Sequence, residues 1–300
     1  MFSGALTALI TPFRDGEVDV EALEGMVEHE IQQGIHGLVP CGTTGETPTL
    51  SEKEDRTVIE TVVRVSNGRV PVVAGTGSNS TESAIKYTRM AEDAGADGSL
   101  QVAPYYNKPP QEGLYRHFSE ISKNTDLPLI LYNIPGRTSV TISAETTARL
   151  AEIPNVVGTK EATHSMDMVS DIRRMCGTEF SILSGDDSLT LPIMALGGNG
   201  VVSVAANVAP GAMSDMVNAL RSADASEIDR GRALHYELLP LFRALFLETN
   251  PIPIKTAASL IGLCSDEMRL PLAPLSGENL ARMEEVLETM PQLLPTPEEA

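Results

Sequence analysis

The chain has 300 residues, 42% of them hydrophobic and 21% charged, the balance of a water-soluble globular protein. That length can bury a large core, either as one α/β barrel or as two smaller domains. Its formal charge of −19 argues against nucleic acid and disfavours an anionic membrane, both of which call for a basic face; solubility or a salty cytoplasm would each account for it.

No apolar run approaches the roughly 20 residues needed to cross a bilayer. The opening MFSGALTALITPF has no basic stretch ahead of its apolar residues, so a signal peptide is not expected and the cytoplasm is the expected location. Short apolar runs recur along the chain at 4–10, 36–40, 69–75, 97–102, 127–133, 155–160, 180–185 and 200–204, each read as a strand. Amphipathic stretches separate them. The first, 19–34, carries Leu23, Met26, Val27 and Ile31 on one helical face. Ser51 with Glu54 reads as a capping box opening a helix over 51–66, and Asn79 with Glu82 as the opening of the next. Gly34 and Gly95 are read as helix stops.

Eight strands alternating with helices predict a (β/α)8 TIM barrel. An open doubly wound sheet usually has fewer strands and often a GxGxxG after the first, which is absent. Beyond residue 222 the pattern is purely helical, at 227–248, 253–262 and 277–290. The expected division is therefore a catalytic barrel over 1–222 and a C-terminal three-helix appendage over 223–300, with a frayed tail at 291–300.

A TIM barrel carries its chemistry where its strands end. The sixth predicted strand, NVVGTK, ends on Lys160, although lysine is among the residues least often buried. Strand alternation puts Val156, Gly158 and Lys160 on one face, with space left below Lys160 by Gly158, and turns Glu161 elsewhere. It also puts Ile130 and Tyr132 of the fifth strand beside that lysine. Desolvation favours the neutral form of an amine, which attacks a carbonyl, and a neighbouring tyrosine can move the protons that imine formation requires. The ordinary alternative is a lysine snorkelling to solvent. Of the other lysines, Lys53, Lys86 and Lys123 fall on polar helical stretches, Lys108 in a Pro-rich loop, and Lys255 at the opening of an appended helix.

The loop GTTGET at 42–47 is either a turn or a cradle for a carboxylate or phosphate; it lacks the GK[ST] ending of a P-loop. Arg137, just past the fifth strand, is either a surface residue or a fork for a substrate carboxylate. Adjacent in a loop, Tyr105 and Tyr106 can bury one ring and present the other, as at a subunit interface. Cys41, Cys176 and Cys264 form no CxxC pair, and Cys41 has no adjacent histidine to make it a nucleophile. The five histidines are scattered, and the pair Asp186–Asp187 is read as a helix cap, so no metal site is expected.

Together GTTGE (42–46), YYNKP (105–109), YNIPGRT (132–138), GTKEA (158–162) and NPIPIKTA (250–257) resemble, in order and spacing over nearly the whole chain, the dihydrodipicolinate synthase family. The resemblance implies a homotetramer built as a dimer of dimers, with no metal or organic cofactor. It makes Lys160 the Schiff-base lysine for pyruvate and Tyr132, Thr43 and Tyr106 a proton relay, Tyr106 reaching into a neighbouring subunit's site. Thr43 and Thr44 would hold the pyruvate carboxylate, and Arg137 would guide L-aspartate 4-semialdehyde. Backbone carbonyls of Gly185 and Val202 would line the pocket. N-acetylneuraminate lyase and 2-keto-3-deoxy-sugar acid aldolases share the lysine and tyrosine, but Thr44 and the arginine of PGRT favour the synthase. Asn79 and Tyr105 match the pattern of lysine-inhibited synthases, whereas Glu52, Asp55 and Ser83 depart from it. Inhibition by L-lysine is accordingly expected to be weak or absent, and a sub-millimolar inhibition constant would contradict this.

Overall fold

Eight parallel strands form the sheet: β1 Gly4–Ala8, β2 Gly37–Val39, β3 Val73–Gly75, β4 Gly98–Val102, β5 Leu129–Asn133, β6 Val156–Glu161, β7 Ser181–Ser184 and β8 Gly200–Ser203. A computed structural model of the chain describes residues 2–294. The strands lie in the order β2-β1-β8-β7-β6-β5-β4-β3. A parallel bridge between Leu38 and Val72, with Gly75 N–H donating to Pro40 O at 2.9 Å, joins β3 back to β2. The sheet is therefore closed, and the chain is a (β/α)8 TIM barrel with C-terminal helices.

Each predicted strand occurs; most are trimmed by a few residues where their flanks turn into loops, and the sixth runs one residue past Lys160, to Glu161. Leu6, Val39, Val73, Leu100, Ile130 and Leu183 fill the barrel interior. The helix Val20–Gln32 is capped by Asp19, and Glu52–Ser66 by the expected capping box of Ser51 and Glu54. The next helix, Thr81–Asp93, starts differently from expectation. Its cap is Ser80, whose hydroxyl accepts from Ser83 N–H, so Asn79 stands one residue outside.

The strand that carries the lysine also departs from simple alternation. Leu129 of β5 pairs with Val156, but Ile130 pairs with Gly158, so β6 holds one extra residue. Val156 consequently faces the outer apolar layer with Leu129, while Val157 packs toward the interior. Beyond this bulge the alternation resumes in the new phase, and Lys160 lies opposite Tyr132. Gly158 does not leave a void. A Cβ there would lie 2.7 Å from Ser181 O and 2.8 Å from Ser181 Cβ, so β7 already occupies the space.

The C-terminal helices run Ala225–Ala244, Ile252–Leu260 and Gly277–Glu288. Leu238, Phe242, Ile254 and Met283 on them share one apolar cluster with Leu9, Leu23, Met213 and Val217. They are thus fastened to the barrel by continuous packing rather than by a linker. Of the tail expected to fray, Pro291–Leu293 form a single 3-10 turn, and 295–300 lie outside the described residues.

Gly158→Ala should lower stability by about 1–3 kcal/mol, because the intruding methyl meets a neighbouring strand's backbone rather than a movable side chain. Urea unfolding of the two proteins, with unchanged stability as the contrary result, checks this.

Candidate active site at the barrel mouth

A cavity of about 510 Å³ opens above the C-terminal ends of the strands. Lys160, Tyr132, Thr43, Thr44 and Arg137 all line it, so five residues from three separate sequence segments converge there. Lys160 is 5% exposed, and its Nζ lies 4.2 Å from the centroid of the Tyr132 ring. Among the described residues no hydrogen bond or ion pair occupies that nitrogen. It is a buried amine without a charged partner, which favours nucleophilic use over a structural role.

The neighbouring strands are fastened immediately beyond it. Asn133, which follows Tyr132, donates from Nδ2 to Ile142 O and to the Glu161 carboxylate, and accepts Ile142 N–H. Glu161 also accepts Thr163 N–H, and burial holds its carboxyl above the ordinary carboxylate range. Its backbone carbonyl accepts Gly185 N–H at 2.8 Å. Gly185 is needed for closeness: a Cβ there would stand 3.2 Å from Lys160 Cε and 2.8 Å from Ala162 Cβ.

The threonine loop leaves β2 through Cys41, whose φ is +55°, and turns back at Glu46, whose φ is +56°. Thr11 Oγ1 donates to Gly45 O at 2.8 Å, and Thr47 Oγ1 to Cys41 O at 2.6 Å. Gly75 lets β3 pass beneath, since a Cβ would fall 2.2 Å from Cys41 O. With the turn closed this way, the N–H groups of Thr43 and Thr44 find no acceptor among the described residues. The Thr44 hydroxyl accepts from Asn250 Nδ2 at 3.0 Å, leaving its own proton for a ligand. Two free N–H groups and two hydroxyls suit a carboxylate. Cys41 takes no part: it is buried, its Sγ–H points to Asp55 O, and burial pushes the thiol well above its usual range.

Arg137 is carried by the short helix Pro135–Thr138 and donates from Nη2 to Asn250 O at 2.9 Å. Its place at the cavity rim leaves the guanidinium's remaining N–H groups for an incoming anion. Tyr105 lines the cavity, whereas Tyr106, with φ +72°, is 90% exposed and lies outside it in the single chain. Gly185 and Val202 are also not among the lining residues; Gly185 backs Lys160, and Val202 belongs to the apolar interior.

A profile of the Dihydrodipicolinate synthetase family matches residues 1–290. The chain is 53% identical over 289 residues to the 4-hydroxy-tetrahydrodipicolinate synthase of Thermodesulfovibrio yellowstonii, covering 96% of this chain and 98% of that protein. It is 54% identical over 287 residues to the synthase of Nitratidesulfovibrio vulgaris, covering 95% and 97%. The chain belongs to the dihydrodipicolinate synthetase family. Among solved structures, dihydrodipicolinate synthase from Aquifex aeolicus superposes with a TM-score of 0.94 at 49% identity, over 98% of this chain and 100% of that one.

Sequence reading missed the polar groups that brace this family's barrel mouth here: Asn133, Glu161, Asp187, Asn250, Glu46 and Lys255. Asp186 does cap a short helix as expected, its carboxylate accepting Ser188 N–H. Asp187 does not. It is buried and accepts the N–H groups of Val204 and Ala205, both at 3.0 Å, which secures the end of β8. Burial raises its carboxyl from 3.8 to about 6, against the pull of its hydrogen bonds. A carboxyl raised by folding stabilises the fold most when protonated, and that contribution disappears as pH climbs through about 6. Asp187→Asn cannot ionise and escapes this loss. Between about pH 4 and 8 the parent should therefore lose up to about 3 kcal/mol relative to the variant. Urea midpoints at both pH values measure it, and parallel pH profiles would contradict it.

Proposed function

We propose that the chain condenses pyruvate with L-aspartate 4-semialdehyde to give 4-hydroxy-tetrahydrodipicolinate, a carbon–carbon bond-forming step of lysine (diaminopimelate) biosynthesis in the cytoplasm. The observation that carries this is a buried, unpaired Lys160 amine beside the Tyr132 ring, facing a threonine loop with free N–H groups, in a chain over 50% identical to named synthases.

The pyruvate carboxylate docks on the N–H and hydroxyl groups of Thr43 and Thr44. Lys160 Nζ attacks the keto carbon, and Tyr132, with Thr43 and Tyr106, passes protons so that the carbinolamine loses water to an imine. The imine draws electrons as a methyl proton leaves, giving an enamine. The enamine carbon adds to the aldehyde carbon of the second substrate, whose carboxylate Arg137 receives, and the aldehyde oxygen takes up a proton. The substrate's own amine then attacks the imine carbon, forming the ring and expelling the Lys160 amine. The protein's nitrogen ends where it began, so no external oxidant or reductant is consumed.

Gly185 backs Lys160 in this scheme, while Val202 belongs to the apolar interior. Tyr106 serves a neighbouring site, which requires at least a dimer; its 90% exposure on a strained backbone supports a role completed by a second copy. A homotetramer built as a dimer of dimers is the assembly we propose. The barrel over 1–222 carries the chemistry, and 223–300 supports it. No helix among the described residues is long and apolar enough to cross a membrane.

Condensation followed through coupled reduction of the product should be abolished in Lys160→Ala. Tyr132→Phe should lower kcat by about 10²-fold or more, in line with lost proton transfer. Arg137→Ala should raise KM for the aldehyde far more than for pyruvate. Absent condensation by the parent protein, combined with cleavage of N-acetylneuraminate or a 2-keto-3-deoxy-sugar acid, would overturn the assignment.

A further inference from the structure

Two lysines are buried in this chain, and their surroundings are opposite in kind. Among the described residues Lys160 has no hydrogen-bonding or ionic partner, whereas Lys255 meets two oxygens and an aromatic ring. Lys255 is 0% exposed, and its Nζ lies 2.5 Å from Glu46 Oε1, 2.6 Å from Glu267 O and 4.0 Å from the Phe13 ring centroid. The other Glu46 oxygen accepts Arg269 N–H at 3.1 Å. Arg269 itself stacks on the Phe13 ring and donates to Thr49 O and to the Glu54 carboxylate. Lys255 is absent from the residues lining the cavity, so it is no second nucleophile.

Glu46 is the residue at which the threonine loop reverses, in a left-handed conformation that a non-glycine residue adopts at a cost. Its backbone N–H returns to Thr43 O at 3.3 Å. The carboxylate that holds this reversal is therefore one turn from the groups that face the cavity. A few residues before Lys255, Asn250 grips the same loop from its other side through Thr44 Oγ1 and holds Arg137 through its carbonyl. One stretch of the C-terminal appendage, 250–255, thus touches each element expected to bind a substrate carboxylate.

Resting on the function proposed above, we infer that Lys255 is a positioning residue: its buried ion pair with Glu46 sets the Thr43–Thr44 loop at the height where a keto-acid carboxylate can bind while its carbonyl meets Lys160. The appendage is then part of the substrate site, although its only cavity-lining residues lie in loops. A buried ion pair is weak evidence for stability as such, because replacing both charges by neutral groups is often tolerated, while removing one partner leaves the other unpaired. That asymmetry separates positioning from mere stabilisation.

The experiment compares the parent tetramer or lower assembly, as purified, with Lys255→Met, Glu46→Gln/Lys255→Met and Glu46→Asp. Each is titrated with pyruvate, trapped on Lys160 with borohydride and read by intact mass, alongside its melting temperature. Lys255→Met should melt lower and need at least 10-fold more pyruvate for half-maximal trapping. The double variant should regain melting temperature and keep the weakened pyruvate response. Glu46→Asp, which retains the charge but withdraws it by one methylene, should shift the half-maximal pyruvate concentration several-fold, with a smaller drop in melting temperature than Lys255→Met. Recovery of trapping together with melting temperature in the double variant, or an unshifted titration in Glu46→Asp, would overturn the inference. Failure of the parent to trap pyruvate would instead overturn the proposed function on which it rests.

Discussion

Holding an amine without a counter-ion at the wall of the mouth cavity is the constraint around which this barrel is organised. Lys160 meets that condition only because β5, β6 and β7 are held in register around it. The bulge at Val156–Val157 sets the phase of β6, Gly158 and Gly185 admit close backbone approach, and Asn133 with Glu161 ties off the strand ends. Polar groups are spent on the rim so that the nitrogen itself can stay unpartnered.

The same economy explains why the rim contains so many buried carboxyls. Glu161, Asp187 and Glu46 each accept hydrogen bonds from the backbone or side chains of a segment that would otherwise be a free loop. Glu161 and Asp187 are pushed toward protonation by burial, whereas Glu46 faces Lys255 directly. The positive groups of the mouth differ in their partners: Lys255 is paired with Glu46, Arg137 donates to Asn250 O, and Lys160 has no hydrogen bond or ion pair among the described residues. An acidic protein can in this way still present an attractive site to small carboxylates.

Much of this was legible in the residues. Strand count followed from eight short apolar runs, because fully buried parallel strands must be apolar on both faces. Lys160 stood out since a charged residue at the end of such a run contradicts its surroundings. What could not be read was long-range polar pairing: Glu46 with Lys255 is separated by 209 residues, and Thr44 with Asn250 by 206. Neither carries a local pattern, and only the closed barrel brings them together. The bulge in β6 was equally silent, because a one-residue insertion leaves an apolar run looking unchanged. Likewise Ser80 displaced Asn79 as a cap, two neighbouring residues with nearly equal capping preference.

The central claim is that one particular lysine of six forms the covalent intermediate. Borohydride reduction in the presence of pyruvate, followed by proteolysis and mass mapping of the adduct, tests it most directly. The reduced adduct is predicted on the peptide containing Lys160, with Lys255 unmodified. An adduct on Lys255 or on an exposed lysine, or none at all, would contradict the account.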